Sequence, residues 1–150
     1  MKLCELLDVA SVLPEMTSGD KEEAIEELVD VLIRAGRISD RQGVLEAVMQ
    51  RERLQTTGIG SSVAVPHAKH GNVSKLTAAL GISREGLEFD AVDDKPVHVV
   101  FLILARLNDP GPHIRALAEI ARLLQIPGFY RKLVEARTPE ELLSVIAAEE

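Results

Sequence analysis

The apolar positions of this chain change their spacing twice, and these changes predict where helices and strands lie. In residues 20–36 and 39–53, apolar side chains recur every three or four positions, which is the spacing of one helix face. Between residues 62 and 105 they form short, nearly continuous runs, which are typical of buried strands. Helical spacing returns from residue 113 onwards. The order helices, strands, helices predicts an α/β sandwich in a single domain over residues 1–150.

Capping residues mark the ends of the two N-terminal helices. Asp20 begins a capping-box pattern, and Gly36 is placed to end the helix that follows it. Ser39 begins the same pattern for a second helix, which we expect to end near Arg51. A cation at that point is favoured by the helix dipole. The predicted apolar faces are Ile25, Leu28, Val29 and Leu32 in the first helix, and Val44, Leu45, Val48 and Met49 in the second.

Three apolar runs, residues 62–66, 76–83 and 97–105, predict strands. The last run is apolar almost throughout, which indicates burial on both faces of a sheet. Pro66 lacks a backbone N–H and therefore closes the first strand. The segment before that strand, residues 56–62, contains two glycines and four hydroxyl residues and predicts a loop.

Two further helices are predicted in the last third of the chain. Asp109-Pro110 supplies an N-cap followed by proline at the first helical position, and Thr138-Pro139 does the same for the terminal helix. The predicted inner face of the former helix consists of His113, Leu117, Ile120 and Leu124.

Composition removes several classes of function. The net charge is −7, no long Lys/Arg block is present and only 3% of residues are aromatic, so a nucleic-acid-binding surface is not expected. The single cysteine, Cys4, forms no intramolecular disulfide and is interpreted as a small buried apolar residue. No signal pattern or membrane-length apolar run is visible, so we expect a cytoplasmic protein without direct membrane insertion. We expect no cofactor and no metal site.

The candidate chemistry centres on His67, which directly follows Pro66. Neutral imidazole is a nucleophile near neutral pH, and a phosphoryl group on it needs guanidinium and turn amides around its oxygens. Arg51 lies sixteen residues before His67 and is a candidate clamp, while His113 near a helix start can donate a hydrogen bond. The loop in between offers further donors, and the predicted phosphoryl-binding residues there are Thr57, Gly58, Gly60, Ser61 and Ser62.

These residues resemble the enzyme IIA component of the mannitol/fructose class of the bacterial phosphotransferase system, a family that includes the nitrogen-regulatory enzyme IIA. The family motif is an Arg-Glu pair, a Thr/Gly-rich loop and Ala-Ile/Val-Pro-His, which stands here as Arg51-Glu52, residues 57–60 and residues 64–67. A later motif of the form His-Leu-x-x-Leu-Ala-x-Ile-Ala corresponds to residues 113–121, with Ile114 at the position of the first Leu. The resemblance covers nearly the whole chain.

The resemblance implies a mixed β-sheet of about five strands with helices on both faces. It implies that an HPr-type phosphocarrier protein gives a phosphoryl group to His67, and that Arg51 and His113 stabilise this group. Two outputs are open: transfer to a cysteine of an enzyme IIB domain for sugar uptake, or a regulatory switch in which the phosphorylation changes binding to a target protein. Which imidazole nitrogen is phosphorylated is open as well.

Other interpretations come from the residues alone. A metal-independent hydrolase using His67 and His113 is a third function, although no Ser or Asp stands in a nucleophile motif. Glu52 fits either a surface ion pair or the site. His70 is predicted to be solvated, and His98 is predicted to be a hydrogen-bonded histidine of the core or sheet face.

Overall fold

The computed structural model describes residues 1–109 and 111–150, and its centre is a sheet in which strands run both parallel and antiparallel. The residues that the structure describes contribute six strands to this sheet, which are β1 (Val12–Leu13), β2 (Gly58–Gly60), β3 (Val63–Ala64), β4 (His67–His70), β5 (Thr77–Leu87) and β6 (Val97–Arg106).

The strands lie in the order β1-β5-β6-β3-β2, and β4 continues along β6 beyond the end of β3. β5 pairs antiparallel with β6, whereas β3 and β4 pair parallel with it. Eight of the ten residues of β6 are buried, which confirms that this run is covered on both faces. The mixed sheet has six strands where about five were predicted.

Helices cover both faces of the sheet, which confirms the predicted α/β fold. α1 (Lys21–Arg34) and α2 (Arg41–Leu54) share one core with Val100 and Leu102 of β6. Because side chains alternate along a strand, Phe101 points to the opposite core. The elements that pack in that second core are a 3₁₀ helix (Leu3–Glu5), α3 (Gly111–Leu124), α4 (Phe129–Glu135) and α5 (Pro139–Ala147).

The caps of α1 and α2 agree with the prediction at one helix and differ by one residue at the other. The Asp20 carboxylate accepts a backbone N–H of the first turn of α1 at 2.9 Å, and Gly36, with a φ of 72°, follows its end. The predicted cap Ser39 is wrong: Asp40 is the N-cap of α2, and its carboxylate accepts the N–H of Gly43 at 3.2 Å. Asp40 has a left-handed backbone, which aspartate adopts more readily than most residues.

The loop prediction for residues 56–62 is wrong in its central part, because β2 lies there and pairs antiparallel with β3. A Cβ on Gly58 would come within 2.9 Å of Ala91, so this glycine permits a close approach of two backbone segments. Ser61 and Ser62, with φ values of 56° and 64°, form the turn between the two strands. The glycine and serine content therefore indicates a tight hairpin.

The inner face of α3 overlaps the predicted one but is shifted from it. Ile120 is buried as predicted, and Leu117 and Leu124 pack half-buried against the second core. Ala116 and Leu123 are the other apolar residues of α3 that are buried there. The predicted cap of this helix, Asp109-Pro110, includes a residue outside the described ranges.

The segment after α3 contains the predicted terminal helix and one helix that periodicity did not reveal. The Thr138 hydroxyl accepts the N–H of Glu141 at 3.1 Å, which confirms the predicted start of α5. α4 has seven residues, and Arg84 of β5 holds its end by donating to the carbonyls of Val134 and Ala136 at 2.8 and 2.7 Å. Such a short helix depends on tertiary contacts.

Candidate functional site

His67 is the first residue of a separate strand and does not close the preceding one. Pro66 interrupts the edge between β3 and β4, and its carbonyl accepts the N–H of Ile103 in β6 at 3.0 Å. β4 then pairs with β6, with His67 opposite Ile103. β2 pairs with β3, and β4 extends past that hairpin along the same edge of β6. This interruption places His67 at the sheet edge.

A cavity of about 580 Å³ lies beside His67, where the C-terminal half of α2, strand β4 and the first turn of α3 meet. Arg51, His67 and His113, which the sequence singled out from three distant segments, all line it. The remaining lining residues are Ala47, Gln50, Leu54, Ala68 and Lys69.

The orientation of the His67 ring is set by a backbone carbonyl. Nδ1 lies 2.8 Å from the carbonyl oxygen of Val65. A carbonyl oxygen only accepts hydrogen bonds, so Nδ1 carries the proton and donates it. Nε2 then holds the lone pair of the neutral ring. The geometry thus favours Nε2 as the nucleophile, a choice that the sequence left open.

The surroundings of His67 keep its ring neutral near physiological pH. Burial lowers the pKa of the imidazole below its ordinary value of 6.5, and the neighbouring Arg51 guanidinium lowers it further. The bond to the Val65 carbonyl acts in the opposite direction but does not reverse the shift. The neutral form is the nucleophilic one, so this environment suits an acceptor histidine.

We expect this pKa to affect both reactivity and stability. The rate at which His67 accepts an electrophile should rise with pH and reach half its maximum below pH 6.5. The unfolded chain takes up its proton at higher pH than the folded chain, so stability present above pH 6.5 is partly lost as the pH falls below that value. Titration of the His67 ring by NMR, with His67→Gln as the reference for stability, checks both. A midpoint at or above 6.5 would contradict the assignment.

His113 faces His67 across the cavity. The centroids of the two imidazole rings are 6.1 Å apart and their planes differ by 23°. His113 is the third residue of α3, so the helix start carries its ring to the site. The two rings are therefore arranged so that a group bonded to one can be contacted by the other.

Arg51 brings positive charge to the cavity from the last turn of α2. One guanidinium nitrogen, Nη1, donates to the carbonyl of Gln55 at 3.0 Å, just beyond the helix end. A guanidinium carries several N–H donors in one plane, so this bond leaves donor capacity towards the cavity. Arg51 thus serves the helix terminus and lines the cavity at the same time.

Lys69 is a cation of the cavity that the sequence interpretation missed. It lies two residues after His67 in β4, and residues two apart in a strand share a face. The alternation would have revealed it, but only once residues 67–70 were known to form a strand.

The structure does not bring the five predicted loop ligands to this cavity. Within the described part of the chain, its lining includes none of Thr57, Gly58, Gly60, Ser61 and Ser62. These residues build the β2–β3 hairpin, and their predicted contact with a phosphoryl group stays a prediction.

The hydrogen-bond donors of Thr57 and Ser61 are engaged by carboxylates outside the cavity. Thr57 is only 3% exposed, and both its hydroxyl and its backbone N–H donate to the carboxylate of Glu52. The backbone N–H of Ser61 donates to Asp93 at 3.1 Å. Glu52 itself is buried, which decides against a surface ion pair for this carboxylate.

The other two histidines have structural partners. His70 contacts the Asp40 carboxylate at 3.8 Å, and its Nδ1 accepts the N–H of Asn72 at 3.0 Å, so it is less solvated than predicted. His98 Nδ1 donates to the carbonyl of Ser83 at 2.8 Å, which confirms a hydrogen-bonded sheet-face residue. Among the described residues, no group of three or more His, Cys, Asp or Glu could hold a metal ion, and no helix could span a membrane.

Sequence comparison identifies the family. The family described as "Phosphoenolpyruvate-dependent sugar phosphotransferase system, EIIA 2" matches residues 5–149. The chain belongs to this family. This EIIA chain is 37% identical over 149 residues to the PTS system fructose-specific EIIA component of Haloferax volcanii, covering 95% of this chain and 97% of that protein. It is 36% identical over 146 residues to the fructose-specific EIIABC component of Bacillus subtilis, covering 97% of this chain but only 23% of that protein.

Solved structures support the same assignment. The crystal structure of nitrogen regulatory protein IIA-Ntr from Neisseria meningitidis superposes on the EIIA chain with a TM-score of 0.88 at 30% identity, covering 96% and 98% of the two chains. Enzyme IIA mannitol of Escherichia coli, solved in a complex with phosphorylated enzyme IIB mannitol, superposes with a TM-score of 0.82 at 25% identity, covering 95% and 97%.

Proposed function

We propose that this EIIA chain is a cytoplasmic phosphocarrier that accepts a phosphoryl group on His67 Nε2 from an HPr-type protein and passes it to a cysteine of an enzyme IIB domain. The observation that carries the proposal is the convergence of His67, His113 and Arg51 on one cavity, with Nδ1 of His67 engaged by the Val65 carbonyl. That arrangement leaves one defined nucleophile facing basic and hydrogen-bonding groups.

The transfer step is set by the ring geometry. The Nε2 lone pair attacks phosphorus while the phosphorus–nitrogen bond of the donor phosphohistidine breaks, and that electron pair returns to the donor ring. The accepting ring keeps its Nδ1 proton and becomes cationic. The Val65 carbonyl accepts the hydrogen bond from Nδ1–H, with an Nδ1···O distance of 2.8 Å, and so stabilises the new charge. In the onward step a cysteine thiolate of the IIB domain attacks the same phosphorus and Nε2 recovers its lone pair.

Positive charge around the cavity supplies the electrostatic part of the mechanism. A transferring phosphoryl group carries negative charge on its oxygens, and a guanidinium matches two of them at once. Arg51 and Lys69 line the cavity, and His113 lies opposite His67. We therefore assign Arg51 and His113 to stabilisation of the phosphoryl group and add Lys69 as a third contributor.

The surroundings of the cavity suit protein partners. Leu54 on its rim is 83% exposed, and Ile114, next to His113, is 59% exposed. These two apolar side chains flank the cavity, where a docked partner would cover them. A carrier that exchanges a phosphoryl group with two proteins in turn needs such a surface.

A regulatory output is the second candidate. It is supported by the likeness to nitrogen regulatory protein IIA-Ntr, which superposes on this chain with a TM-score of 0.88 and shares 30% of its sequence. In that case phosphorylation of His67 changes the charge at the cavity from which Leu54 and Lys69 would contact a target protein. Both functions use the same accepting step and differ only in the later fate of the phosphoryl group.

Labelling with phosphoenolpyruvate, enzyme I and HPr tests the accepting step. We expect one acid-labile, base-stable phosphate per chain, and no incorporation when HPr is left out. A wild-type chain that stays unlabelled under conditions where HPr itself is phosphorylated would contradict the proposal. Adding sugar-class IIB domains to the labelled chain separates the two outputs: onward transfer supports sugar uptake, whereas binding of another protein that depends on the phosphorylation state, without transfer, supports regulation.

A further inference from the structure

Glu52 is a buried carboxylate next to the candidate site that the phosphoryl-transfer mechanism does not use. It follows Arg51 in α2 and is only 5% exposed. A buried charge is costly unless it is paired and hydrogen-bonded. The hydrogen-bond partners of this carboxylate therefore indicate which segments it holds together.

Three donors from two other segments converge on Glu52. Its Oε2 accepts the backbone N–H of Thr57 at 2.8 Å and the ammonium of Lys21 at 3.2 Å, and its Oε1 accepts the Thr57 hydroxyl. Lys21 also contacts Asp90 at 3.3 Å and lies 5.2 Å from the centre of the Phe89 ring. The carboxylate thus ties the end of α2 to the start of α1 and to the residue just before β2.

The hydrogen bonds continue from Thr57 to the reactive ring. The carbonyl of Thr57 accepts the N–H of Val65 at 2.9 Å, and the carbonyl of Val65 accepts Nδ1–H of His67 at 2.8 Å. The next residue, Pro66, has no backbone N–H. The N–H of Val65 is therefore the last backbone donor before His67, and it bonds to Thr57. A displacement of Thr57 is therefore transmitted to the carbonyl that orients the ring.

We propose that Glu52 is a positioning residue for His67, acting through the chain Glu52–Thr57–Val65–His67 to hold the tautomer with Nε2 unprotonated. The inference rests on the proposed function for its consequence, since the rate of phosphoryl transfer depends on that tautomer. Its structural content, the state of the His67 ring, is measurable without any phosphoryl donor.

Two substitutions of Glu52 weaken its hydrogen bonds to Thr57 to different degrees. In Glu52→Gln a single amide oxygen replaces the two carboxylate oxygens that accept from Thr57, so one of the two bonds from Thr57 is lost, and the amide does not pair with the charge of Lys21. Glu52→Ala removes both hydrogen bonds between residue 52 and Thr57. We expect the fraction of the Nδ1–H tautomer of His67, read from the nitrogen chemical shifts of the neutral ring, to fall from wild type to Glu52→Gln and again to Glu52→Ala. Phosphoryl acceptance should slow in the same order, by about tenfold for Glu52→Gln, the lower end of the cost of changing a residue that orients a metal-bound histidine.

Two controls separate positioning from charge and from stability. Glu46→Gln makes the same chemical change at an exposed site of α2 and should leave both the tautomer and the rate at their wild-type values. Leu28→Ala opens a cavity in the core of α1 and lowers stability without touching the chain of bonds, so the folded protein should keep the wild-type tautomer.

The outcomes distinguish this inference from the proposed function. If folded Glu52→Gln retains the wild-type tautomer, or if Leu28→Ala shifts the tautomer equally, Glu52 has a structural role alone and the inference is overturned. Glu52→Gln keeps the inference falsifiable if Glu52→Ala does not fold. An unlabelled wild-type chain would contradict the phosphocarrier function instead, and would leave the tautomer measurement intact.

Discussion

Replacing His67 with glutamine is expected to abolish phosphate incorporation from HPr completely. Glutamine has a similar size and can keep a hydrogen bond to the Val65 carbonyl, but its amide nitrogen has no lone pair available for attack on phosphorus. The measurement is the label per chain after incubation with phosphoenolpyruvate, enzyme I and HPr. Far-UV circular dichroism checks that the variant folds.

His113→Gln is the matched control for this loss. It removes the second imidazole of the cavity, 6.1 Å from the first, while leaving the nucleophile in place. We expect this variant to be labelled more slowly but to the same final level. Label on His67→Gln, or none on His113→Gln, would show that the roles of the two rings are reversed or that another residue accepts the phosphoryl group.

Replacing Arg51 with alanine is expected to slow phosphoryl acceptance by about 10²- to 10³-fold, the cost of removing one preorganised donor of a charged transition state. Arg51 lines the cavity, so its loss removes positive charge where phosphoryl oxygens would lie. Arg51→Lys keeps the charge but not the planar pair of donors, and should recover only part of the rate. The measurement is the single-turnover rate of transfer from phosphorylated HPr.

Arg53→Ala is the control for Arg51. It removes the same charge from the same turn of α2, but Arg53 is exposed and does not line the cavity. Arg51 also bonds the Gln55 carbonyl at 3.0 Å, but this bond is exposed and water competes for it, so its loss should lower stability by less than about 1 kcal/mol, the typical contribution of one hydrogen bond. Equal slowing in Arg51→Ala and Arg53→Ala would indicate that the charge steers the approach of HPr and does not contact the phosphoryl group.

The elements that periodicity predicted are the long amphipathic helices and the long buried strands. α1, α2, α3, α5, β5 and β6 each contain enough apolar positions at regular spacing to reveal their type. The short elements β2, β4 and α4 escaped prediction because their stability comes from partners distant in the chain. β4 contains only one apolar residue, Ala68, and is a strand because it pairs with β6. α4 is held by Arg84 from β5.

The glycine- and hydroxyl-rich segment shows how the same residues support two interpretations. Glycines and hydroxyl groups are typical of phosphate-binding loops, and they are equally typical of tight hairpins. The decision between them depends on where the donors point. Thr57 donates to Glu52, and Ser61 donates to Asp93. Neither contact is visible from local sequence.

The sequence by itself determined the residue types that this chemistry requires: a histidine after a proline, an arginine sixteen residues earlier and a second histidine at a distant helix start. Its motifs were sufficient to indicate the family. Only the tertiary structure decided that these three residues line one cavity together with Lys69. It also decided that Nδ1 of His67 is hydrogen-bonded to the Val65 carbonyl. The physical reason is that periodicity and capping report on neighbours within a few residues. Distances between α2, β4 and α3 result instead from how both cores pack against β6.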